Sequence, residues 1–318
     1  MTIVSTILGD ITSTDIGICH SHEHLFIKKG QPERLDEALL LDDFAKTKRE
    51  VEDFIAVGGR TIVDAQPVGS GRDARKLLKL SEETGIHILA STGFHKAGFY
   101  TKGHWVFKTS VEKMTALFVE ELENGLFADG EEGWPSVRLS GCAGLIKTAA
   151  DREGPVGAYV PLFHAAANAS LQTGAPIMSH TELGYGAIQQ VLFYKEAGLL
   201  ENQLIICHLD RKMELIENLL RVADTGVYLE MDTIGRYNYH SDEEEAELIR
   251  LLLEHGHEDQ ILLGLDTTRK RMKSYGGTIG LGHLIGNFLP MLREVGVTEK
   301  QVRKMMHDNP AKAFSKQE

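Results

Sequence analysis

Short apolar runs alternate with amphipathic segments along the chain, and this alternation constrains the fold more than any other feature of the sequence. The apolar runs predict β-strands at Gly17–Ser21, Arg60–Ala65, His87–Thr92, Ala143–Thr148, Pro176–His180, Gln203–His208, Gly226–Met231 and Gln260–Leu265. The intervening segments have helical periodicity at about Asp42–Val57, Gly71–Thr84, Ser110–Asn124, Val156–Thr173, Gly186–Ala197, Lys212–Ala223, Asp242–His255 and Gly280–Val295. This alternation indicates an α/β protein with a parallel sheet, and the number of strands suits a closed (β/α)8 TIM barrel.

The alternative to a barrel is an open, doubly wound sheet. It is disfavoured because no glycine-rich dinucleotide loop follows the first predicted strand.

Residues typical of helix ends agree with the predicted alternation of strands and helices. Asp42 and Ser241 are predicted N-caps, and Gly85 and Gly174 fall where helices should end.

No linker, repeat or low-complexity tract divides the 318 residues, so we predict a single barrel domain over residues 1–318. Hydrophobic residues make up 42% of the chain and charged residues 25%, as in a soluble protein with a substantial core. No apolar run approaches a membrane span, and no basic segment followed by a hydrophobic one opens the sequence. We therefore expect neither membrane insertion nor export.

Cysteine usage and net charge restrict the expected location and partners. Cys19, Cys142 and Cys207 lie in or beside apolar strand-like runs, where buried free thiols are the expectation. This favours a reducing compartment and a cytoplasmic location. The formal net charge of −12 argues against nucleic acid or an anionic membrane as a partner, although it leaves room for a local basic pocket.

The first predicted strand ends in closely spaced histidines. Because side chains alternate along a strand, His20, His22 and His24 are predicted to project to one face, and Glu23 to the other. Two imidazoles that are two residues apart on one face can bind one metal ion. The alternative is a buried, hydrogen-bonded histidine pair.

Polar residues also close several later strands, at the edge of a barrel where catalytic groups collect. Lys147 ends the fourth predicted strand, His180 the fifth and His208 the sixth, and Asp266 follows the eighth. Each has a simpler explanation, since a histidine can be a satisfied rim residue, Lys147 can reach solvent along its stem, and Asp266 can cap the next segment. Taken together, imidazole and carboxylate groups at one edge predict a site for zinc or a similar divalent ion, and their number predicts two ions.

These residues resemble the phosphotriesterase family of the amidohydrolase superfamily, in particular its phosphotriesterase-like lactonase branch. The resemblance covers nearly the whole chain. It includes the opening His-Glu-His, a Gly-X-Ile-Lys strand, Ser-His-Thr, a Cys-His-X-Asp strand, a Gly-X-Asp strand end and a closing Asn-Pro-Ala-Lys-Ala-Phe. It implies a metal-dependent hydrolase with a binuclear metal site at the C-terminal end of the barrel strands.

The resemblance implies that His22, His24 and Asp266 hold one of the two ions. It further implies that a hydroxide bridging the ions attacks the substrate, because metal binding lowers the pKa of water towards neutrality. Asp266 would then carry the proton from the hydroxide to the leaving oxygen, as general base and then general acid. His20 departs from the family pattern, and we interpret it as lying deeper in the barrel interior.

The second ion is expected at His180 and His208, with Lys147 between the two ions. A plain ammonium group would repel the metals, whereas the carboxylated lysine of the family carries a negative charge and two oxygen donors. Zinc is the expected metal, and manganese and cobalt are the alternatives.

Basic and aromatic residues lie in the loops after the first and eighth predicted strands, which should become neighbours when the barrel closes. Others lie in the loop after the seventh strand. Together, these residues are Lys28, Lys29, Arg236, Tyr237, Arg269, Lys270, Arg271, Lys273 and Tyr275. We predict that they meet on one rim beside the metals and bind an anionic substrate, since the loops after strands seven and eight of such barrels often bind phosphate. The alternative is a solvated loop face.

The predicted activity is therefore that of a lactonase for a small anionic substrate, a phosphorylated furanose lactone whose ring carbonyl is attacked by the metal-bridging hydroxide. The alternative is a phosphotriesterase or other ester hydrolase on the same metal centre. His95 stands where quorum-type lactonases of the family usually have tyrosine, which argues against acyl-homoserine lactones, and it is a further candidate for substrate contact. A homodimer is expected from the frequency of dimers in the family and in general.

Two other classes of function compete with a metal-dependent hydrolase. Lys147 could form a Schiff base, as in an aldolase, but this leaves the four histidines without a role. A non-catalytic barrel is the second alternative, and the complete set of ligand types at one edge disfavours it.

Overall fold

A parallel eight-stranded sheet curls into a barrel in the computed structural model, which describes residues 2–317. A preceding antiparallel hairpin consists of β1 (Ile3–Thr6) and β2 (Gly9–Thr12). The barrel strands are β3 (Ile18–Glu23), β4 (Gly59–Asp64), β5 (His87–Gly93), β6 (Leu145–Ala149), β7 (Ile177–His180), β8 (Leu204–Cys207), β9 (Tyr228–Met231) and β10 (Ile261–Leu263). Each strand pairs with the next in chain order. The predicted TIM barrel is confirmed.

Helices connect the strands and cover the outer face of the barrel. They are α1 (Gln31–Leu35), α2 (Phe44–Ala56), α3 (Ala74–Thr84), α4 (Val111–Glu123), α5 (Tyr159–Thr173), α6 (Ala187–Glu196), α7 (Ile216–Ala223), α8 (Asp242–Glu254), α9 (Leu289–Glu294), α10 (Glu299–Arg303) and α11 (Asn309–Ala313). Within residues 2–317, no helix is both long enough and apolar enough to span a membrane.

The helix ends show how far capping residues could be predicted. Ser241 caps α8 as predicted, and its hydroxyl accepts from the backbone N–H of Glu244 at 3.2 Å. Gly85 and Gly174 end their helices in the left-handed conformation, also as predicted. The prediction for α2 was wrong by one residue, because the carboxylate that accepts from the first turn belongs to Asp43.

Two apolar layers hold the barrel together. Alternate strand residues such as Leu89, Leu145 and Met178 fill the interior, and residues of the opposite parity pack against the helices. Val4 of β1 and Phe314, just after α11, join the interior layer from the two ends of the chain. The fold thereby leaves the opposite end of the barrel, where the strands terminate, to the polar residues.

A register irregularity in β3 overturns the predicted common face of the three histidines. Pairing with β4 shifts between His20 and Glu23, so the strand carries a β-bulge there. His20 consequently packs against the ring of Phe54 on α2, with ring centroids 4.4 Å apart, and its Nδ1 lies 2.9 Å from Glu23 Oε1. The interpretation that His20 lies in the barrel interior was therefore wrong, whereas His22 and His24 face the cavity.

The barrel closes between β10 and β3 through one buried carboxylate as well as the backbone. The N–H of Asp266 donates to the carbonyl of His22 at 3.0 Å. The carboxylate of Glu23 accepts from the N–H of Leu265 at 3.0 Å and from that of Thr267 at 3.2 Å. Glu23 therefore joins the end of the last strand to the end of the first.

Replacing Gly93 tests how tightly the neighbouring strands β5 and β6 determine the position of Lys147. Gly93 pairs with Lys147, has a φ of +102°, and would direct a side chain into the Lys147 carbonyl oxygen. We expect Gly93→Ala to lower the free energy of unfolding by at least about 2 kcal/mol, because it adds overpacking to backbone strain. Urea unfolding followed by circular dichroism measures this change.

Gly133→Ala is the matched control for Gly93→Ala. Gly133 is exposed, and a Cβ there would have no neighbour within 4 Å. We expect this variant to change the free energy of unfolding by less than about 0.5 kcal/mol. Equal stabilities for the two variants would show that the contact between Gly93 and Lys147 does not constrain the sheet.

Candidate metal centre and substrate cavity

A cavity of ≈ 210 Å³ opens at the C-terminal ends of the barrel strands. Its lining is dominated by histidines and charged side chains. The lining residues are His22, His24, Asp36, Leu39, Gln66, His95, Lys96, Phe99, Lys147, His180, Glu182, His208, Arg211, Arg236, Tyr239, Asp266 and Thr268. The six predicted metal ligands are therefore brought together in one cavity.

His22, His24 and Asp266 form the first group of metal-ligating side chains. The Nε2 atoms of His24 and His22 lie 3.3 Å and 3.8 Å from Asp266 Oδ1, and one donor atom from each residue falls within 4.8 Å of the others. All three residues are buried. Such a set of two imidazoles and a carboxylate suits a divalent ion of the zinc type.

His180, His208 and Lys147 occupy the adjacent side of the cavity. The rings of His180 and His208 are 4.4 Å apart, and the ring of His208 is 5.0 Å from that of His22. Lys147 Nζ lies 3.3 Å from His22 Nε2. The lysine amine thus stands beside the first group, in the cavity that His180 and His208 also line.

His208 and Asp266 have an uncommon backbone conformation. Their φ angles are +62° and +46°, in the left-handed region that residues with a side chain rarely adopt. His208 directly follows β8 and Asp266 lies three residues after β10, and both side chains line the cavity. Strained positions of this kind persist where the surrounding structure holds them, and they concentrate at functional sites.

Two buried carboxylates fix the orientation of the imidazoles. Glu230 Oε2 lies 2.7 Å from Nδ1 of His22, and Asp232 Oδ1 lies 2.7 Å from Nδ1 of His208. Asp232 also accepts from the backbone N–H of His208 at 2.9 Å. With Nδ1 bonded to a carboxylate, the Nε2 atom of each imidazole is left to face the cavity, as in the carboxylate–histidine pairs that support metal ligands.

Burial makes the charged forms of these groups unfavourable. It lowers the pKa values of His22 and His208 well below the ordinary value, and the cationic side chains of Lys147 and Arg211, respectively, lower them further. Burial also raises the pKa of Glu230 to about 8. Neutral imidazoles are the form that binds a metal, so the electrostatics agree with the geometry.

An unpaired nitrogen atom in the cavity tests whether metal ions would fit. Within residues 2–317, His180 Nε2 is buried and makes no hydrogen bond. The carboxylate of Glu182 is 3.8 Å from His180 Nε2. Buried polar atoms of this kind are normally satisfied, so the donor set fits bound divalent ions.

Besides Lys147, three lysine or arginine side chains among the described residues line the cavity, and only one of them was predicted. Arg236 was predicted, whereas Arg211 and Lys96 were not. Arg211 and Arg236 both pair with Asp266, and Lys96 pairs with Glu182. Burial alone would raise the pKa of Asp266, but the guanidinium groups of Arg236 and Arg211 outweigh burial and lower it well below the ordinary value.

The missed residues carried a signal in the sequence, although it was a weak one. Arg211 follows the Cys-His-X-Asp strand end directly, and Lys96 follows His95. Glu230 and Asp232 break an apolar strand at alternate positions, which a strand buried on both faces does not tolerate without partners. Either of these two acidic residues could have been interpreted as directed into the barrel.

His95 lies at the cavity, on the side of His180. Its ring stacks on that of Phe99 with centroids 3.6 Å apart, and it is 5.5 Å from the ring of His180. The Nδ1 atom accepts from the backbone N–H of Lys96 at 2.7 Å. That hydrogen bond does not involve the Nε2 atom of His95. Contact between His95 and a substrate stays a prediction.

The structure does not bring the remaining basic residues of the prediction into the cavity. Lys28 donates to the carbonyl of Ala128 at 2.9 Å and pairs with Glu131, and Lys29 is exposed beside a separate hollow. Tyr237 is 58% exposed and donates to Asp242 instead. These three residues do not line the cavity, because Lys28 and Tyr237 bind other partners and Lys29 lies beside the other hollow, and their contact with substrate stays a prediction.

The segment after β10 separates into a buried and an exposed part. Arg271 is buried, and its guanidinium donates to the carbonyl of Ile234 at 3.3 Å and to those of Leu265 and Asp266, so its predicted place on the rim was wrong. The other predicted residues lie outside the cavity. Arg269, Lys270 and Tyr275 line a neighbouring hollow of ≈ 380 Å³, and Lys273 is exposed.

Comparison with known proteins agrees with this geometry. A family model described as the phosphotriesterase family matches residues 2–314. A phospho-furanose lactonase of Mycoplasmopsis synoviae is 33% identical over 322 residues, which cover 98% of this chain and 91% of that protein. The crystal structure of a lactonase from Listeria monocytogenes superposes with a TM-score of 0.91 at 32% identity, over 100% of both chains.

A third similar protein is the phosphotriesterase homology protein of Escherichia coli, whose structure holds phosphate in its active site. It superposes with a TM-score of 0.84 at 29% identity, over 94% of this chain and 99% of that chain. Lactonases and a protein with phosphate in its active site are therefore among the proteins that this chain resembles.

Replacing Asp232 tests whether the buried carboxylates orient metal ligands. An amide at this position can accept from only one of the two N–H groups of His208. We expect Asp232→Asn to weaken zinc binding by about 10- to 100-fold, measured by competition with a chromogenic chelator. Asp224→Asn, whose side chain is 76% exposed, should leave zinc affinity unchanged. Equal zinc affinities of the parent protein and the two variants would show that Asp232 does not support a metal ligand.

Proposed function

This chain belongs to the phosphotriesterase family, and from that membership we propose that it is a lactonase whose substrate is a phosphorylated furanose lactone. The observation that carries the proposal is that guanidinium groups and the complete ligand set line one small cavity. The phospho-furanose lactonase of Mycoplasmopsis synoviae supports the same substrate class.

We propose that His22, His24 and Asp266 hold one ion, that His180 and His208 hold the second, and that Lys147 bridges them as its carbamate. Zinc is the proposed metal because imidazole and carboxylate donors suit it. When bound, the ions would supply a water of lowered pKa and polarise the carbonyl oxygen of the substrate. Burial of Lys147 supports the carbamate, since a buried ammonium beside two cations would be strongly unfavourable.

Asp266 is the proposed proton carrier. Its carboxylate lies beside His24 and His22 and faces the cavity, so one oxygen can hold a proton next to the reacting carbonyl. A general base in this position would take a proton from water and pass it to the ring oxygen that leaves as the lactone opens. Arg211 and Arg236 hold the same carboxylate from the other side.

Arg236 is the proposed contact for the phosphate of the substrate. Its side chain is 20% exposed, more than the 8% of Arg211, and it follows β9 at the rim where such barrels often bind phosphate. Tyr239 lies beside it, with the guanidinium carbon 5.4 Å from the ring centroid. Arginine recognises phosphate through two parallel N–H bonds, which supports an anionic substrate over a neutral one.

The size of the cavity supports a small substrate. At ≈ 210 Å³ it is smaller than the roughly 300–1,000 Å³ of sites for drug-sized ligands. A five-membered lactone with a phosphate fits this size class better than a lactone with a long acyl chain. A triester with several aryl groups would also present no anionic group to the guanidinium of Arg236.

A comparison of four substrates tests the proposed function. Zinc-reconstituted protein with bicarbonate present would be assayed with a pH indicator on a phosphorylated pentono-1,4-lactone, the same lactone without phosphate, an acyl-homoserine lactone and an aryl phosphotriester. We expect kcat/KM for the phosphorylated lactone to exceed the others by at least about 100-fold, because a site built for an anion rejects analogues that lack it. Asp266→Asn should lose at least about 100-fold of that activity.

Each outcome of this comparison is informative. Equal rates with and without phosphate would keep the lactonase and contradict the anionic substrate. Activity confined to the phosphotriester would contradict the lactonase. An Asp266→Asn variant as active as the parent would contradict the proposed proton carrier.

Replacing Arg236 tests the phosphate contact separately. We expect Arg236→Ala to raise KM for the phosphorylated lactone by about 10- to 100-fold, the value of a lost charge-assisted hydrogen bond, and to change KM for the unphosphorylated lactone little. Arg269→Ala is the matched control, because Arg269 lines the neighbouring hollow, and its effect should stay within about twofold. Equal losses on both substrates in Arg236→Ala would mean that Arg236 acts on Asp266 rather than on phosphate.

A further inference from the structure

A second cluster of metal-ligating side chains lies outside the substrate cavity, between the loops after β8 and β9 and the start of α8. It consists of Asp210, His240 and Glu245, and one donor atom from each falls within 4.8 Å of the others. All three are buried: Asp210 and Glu245 are 0% exposed, and His240 is 7% exposed. None of them lines the cavity or belongs to the proposed ligand set.

The imidazole of His240 presents a lone pair to this cluster. Its Nδ1 atom lies 3.1 Å from the carbonyl oxygen of Ser241, which can only accept, so Nδ1 carries the proton. The Nε2 atom, on the other side of the ring, lies 3.3 Å from the hydroxyl of Thr233 and 3.2 Å from Glu245 Oε2. An imidazole nitrogen and a carboxylate oxygen this close repel each other unless a cation or a proton lies between them.

The carboxylates of the cluster have unsatisfied oxygen atoms. Neither oxygen of Glu245 and only one of Asp210 accepts a hydrogen bond from residues 2–317; that oxygen of Asp210 accepts from the N–H of Thr233 at 2.7 Å. Burying an unpaired carboxylate is strongly unfavourable, and here two carboxylates with unsatisfied oxygen atoms lie close together. Burial and then the negative charges of Asp210, Asp232 and Asp242 raise the pKa of Glu245 well above the ordinary value, and a cation would offset this repulsion.

We propose that Asp210, His240 and Glu245 bind a structural divalent cation of the zinc or manganese type. Two carboxylates balance the double positive charge, and one imidazole with two carboxylates is a donor set that suits these ions. The hydroxyl of Thr233 lies 3.3 Å from His240 Nε2 and can complete a closed four-coordinate site. The inference does not rest on the proposed lactonase function, because it concerns metal content alone.

Such a cation would fix one wall of the substrate cavity. Asp210 immediately precedes Arg211, and His240 immediately follows Tyr239, so the ion would hold two cavity residues through their chain neighbours. Glu245 anchors the same point to the first turns of α8. The loop that carries Arg236 would then be held at both ends.

Metal analysis of the zinc-loaded protein tests the proposal. Protein stripped with a chelator, reloaded with zinc and desalted would be analysed by mass spectrometry for zinc per chain. We expect Glu245→Gln to contain one equivalent less than the parent protein. Glu243→Gln is the matched control, because Glu243 is exposed in the same turn of α8 and should leave the zinc content unchanged. Equal zinc in the parent and in Glu245→Gln would overturn the site.

A measurement on the unaltered protein covers the case in which Glu245→Gln does not fold. Crystals of the zinc-loaded parent would be examined by anomalous diffraction at the zinc edge. We expect a peak between Asp210, His240 and Glu245, separate from the peaks beside His22 and His180. Peaks at the latter positions alone would overturn the proposal and would leave the proposed lactonase intact.

Discussion

Closure of the barrel between its first and last strands is the constraint on which the candidate site depends. His22 and His24 leave one side of this joint and Asp266 leaves the other, so their three donor atoms meet only if β3 and β10 stay in register. The carboxylate of Glu23 holds that register through backbone N–H groups of the last strand's end. One buried acidic side chain thus positions candidate ligands that lie more than half the length of the chain apart in sequence.

Buried histidines and carboxylates at the candidate site stabilise one another. Burial opposes charge on His22 and His208 and on Glu230 and Asp232, and each of these two imidazoles is paired with one of the two carboxylates. The same arrangement directs the free Nε2 atoms into one cavity. The left-handed turns at His208 and Asp266 show that backbone strain is accepted at the points where side chains must leave a strand and face this cavity.

The arginine side chains of the cavity depend on different contacts from its histidines. Its guanidinium groups, on Arg211 and Arg236, come from the first residues after β8 and β9, where the chain is still guided by the strands. Other basic loop residues are used elsewhere, as Arg271 is in binding backbone carbonyls and Lys28 is in pairing with Glu131. Positive charge in a loop sequence is therefore a weak guide to an anion site unless the loop's course is known.

The sequence by itself determined the barrel, its order of strands and the six side chains of the candidate metal centre. Hydrophobic periodicity is a local property, and the C-terminal ends of parallel strands meet whatever the loops do, so Lys147, His180 and Asp266 could be placed together from spacing alone. Only the tertiary structure decided that a bulge turns His20 towards α2, that Glu230 supports His22, and which arginines face the cavity. These outcomes depend on pairing between strands and on loop paths, which are set by contacts between residues far apart in the chain and leave no periodic signal in the sequence.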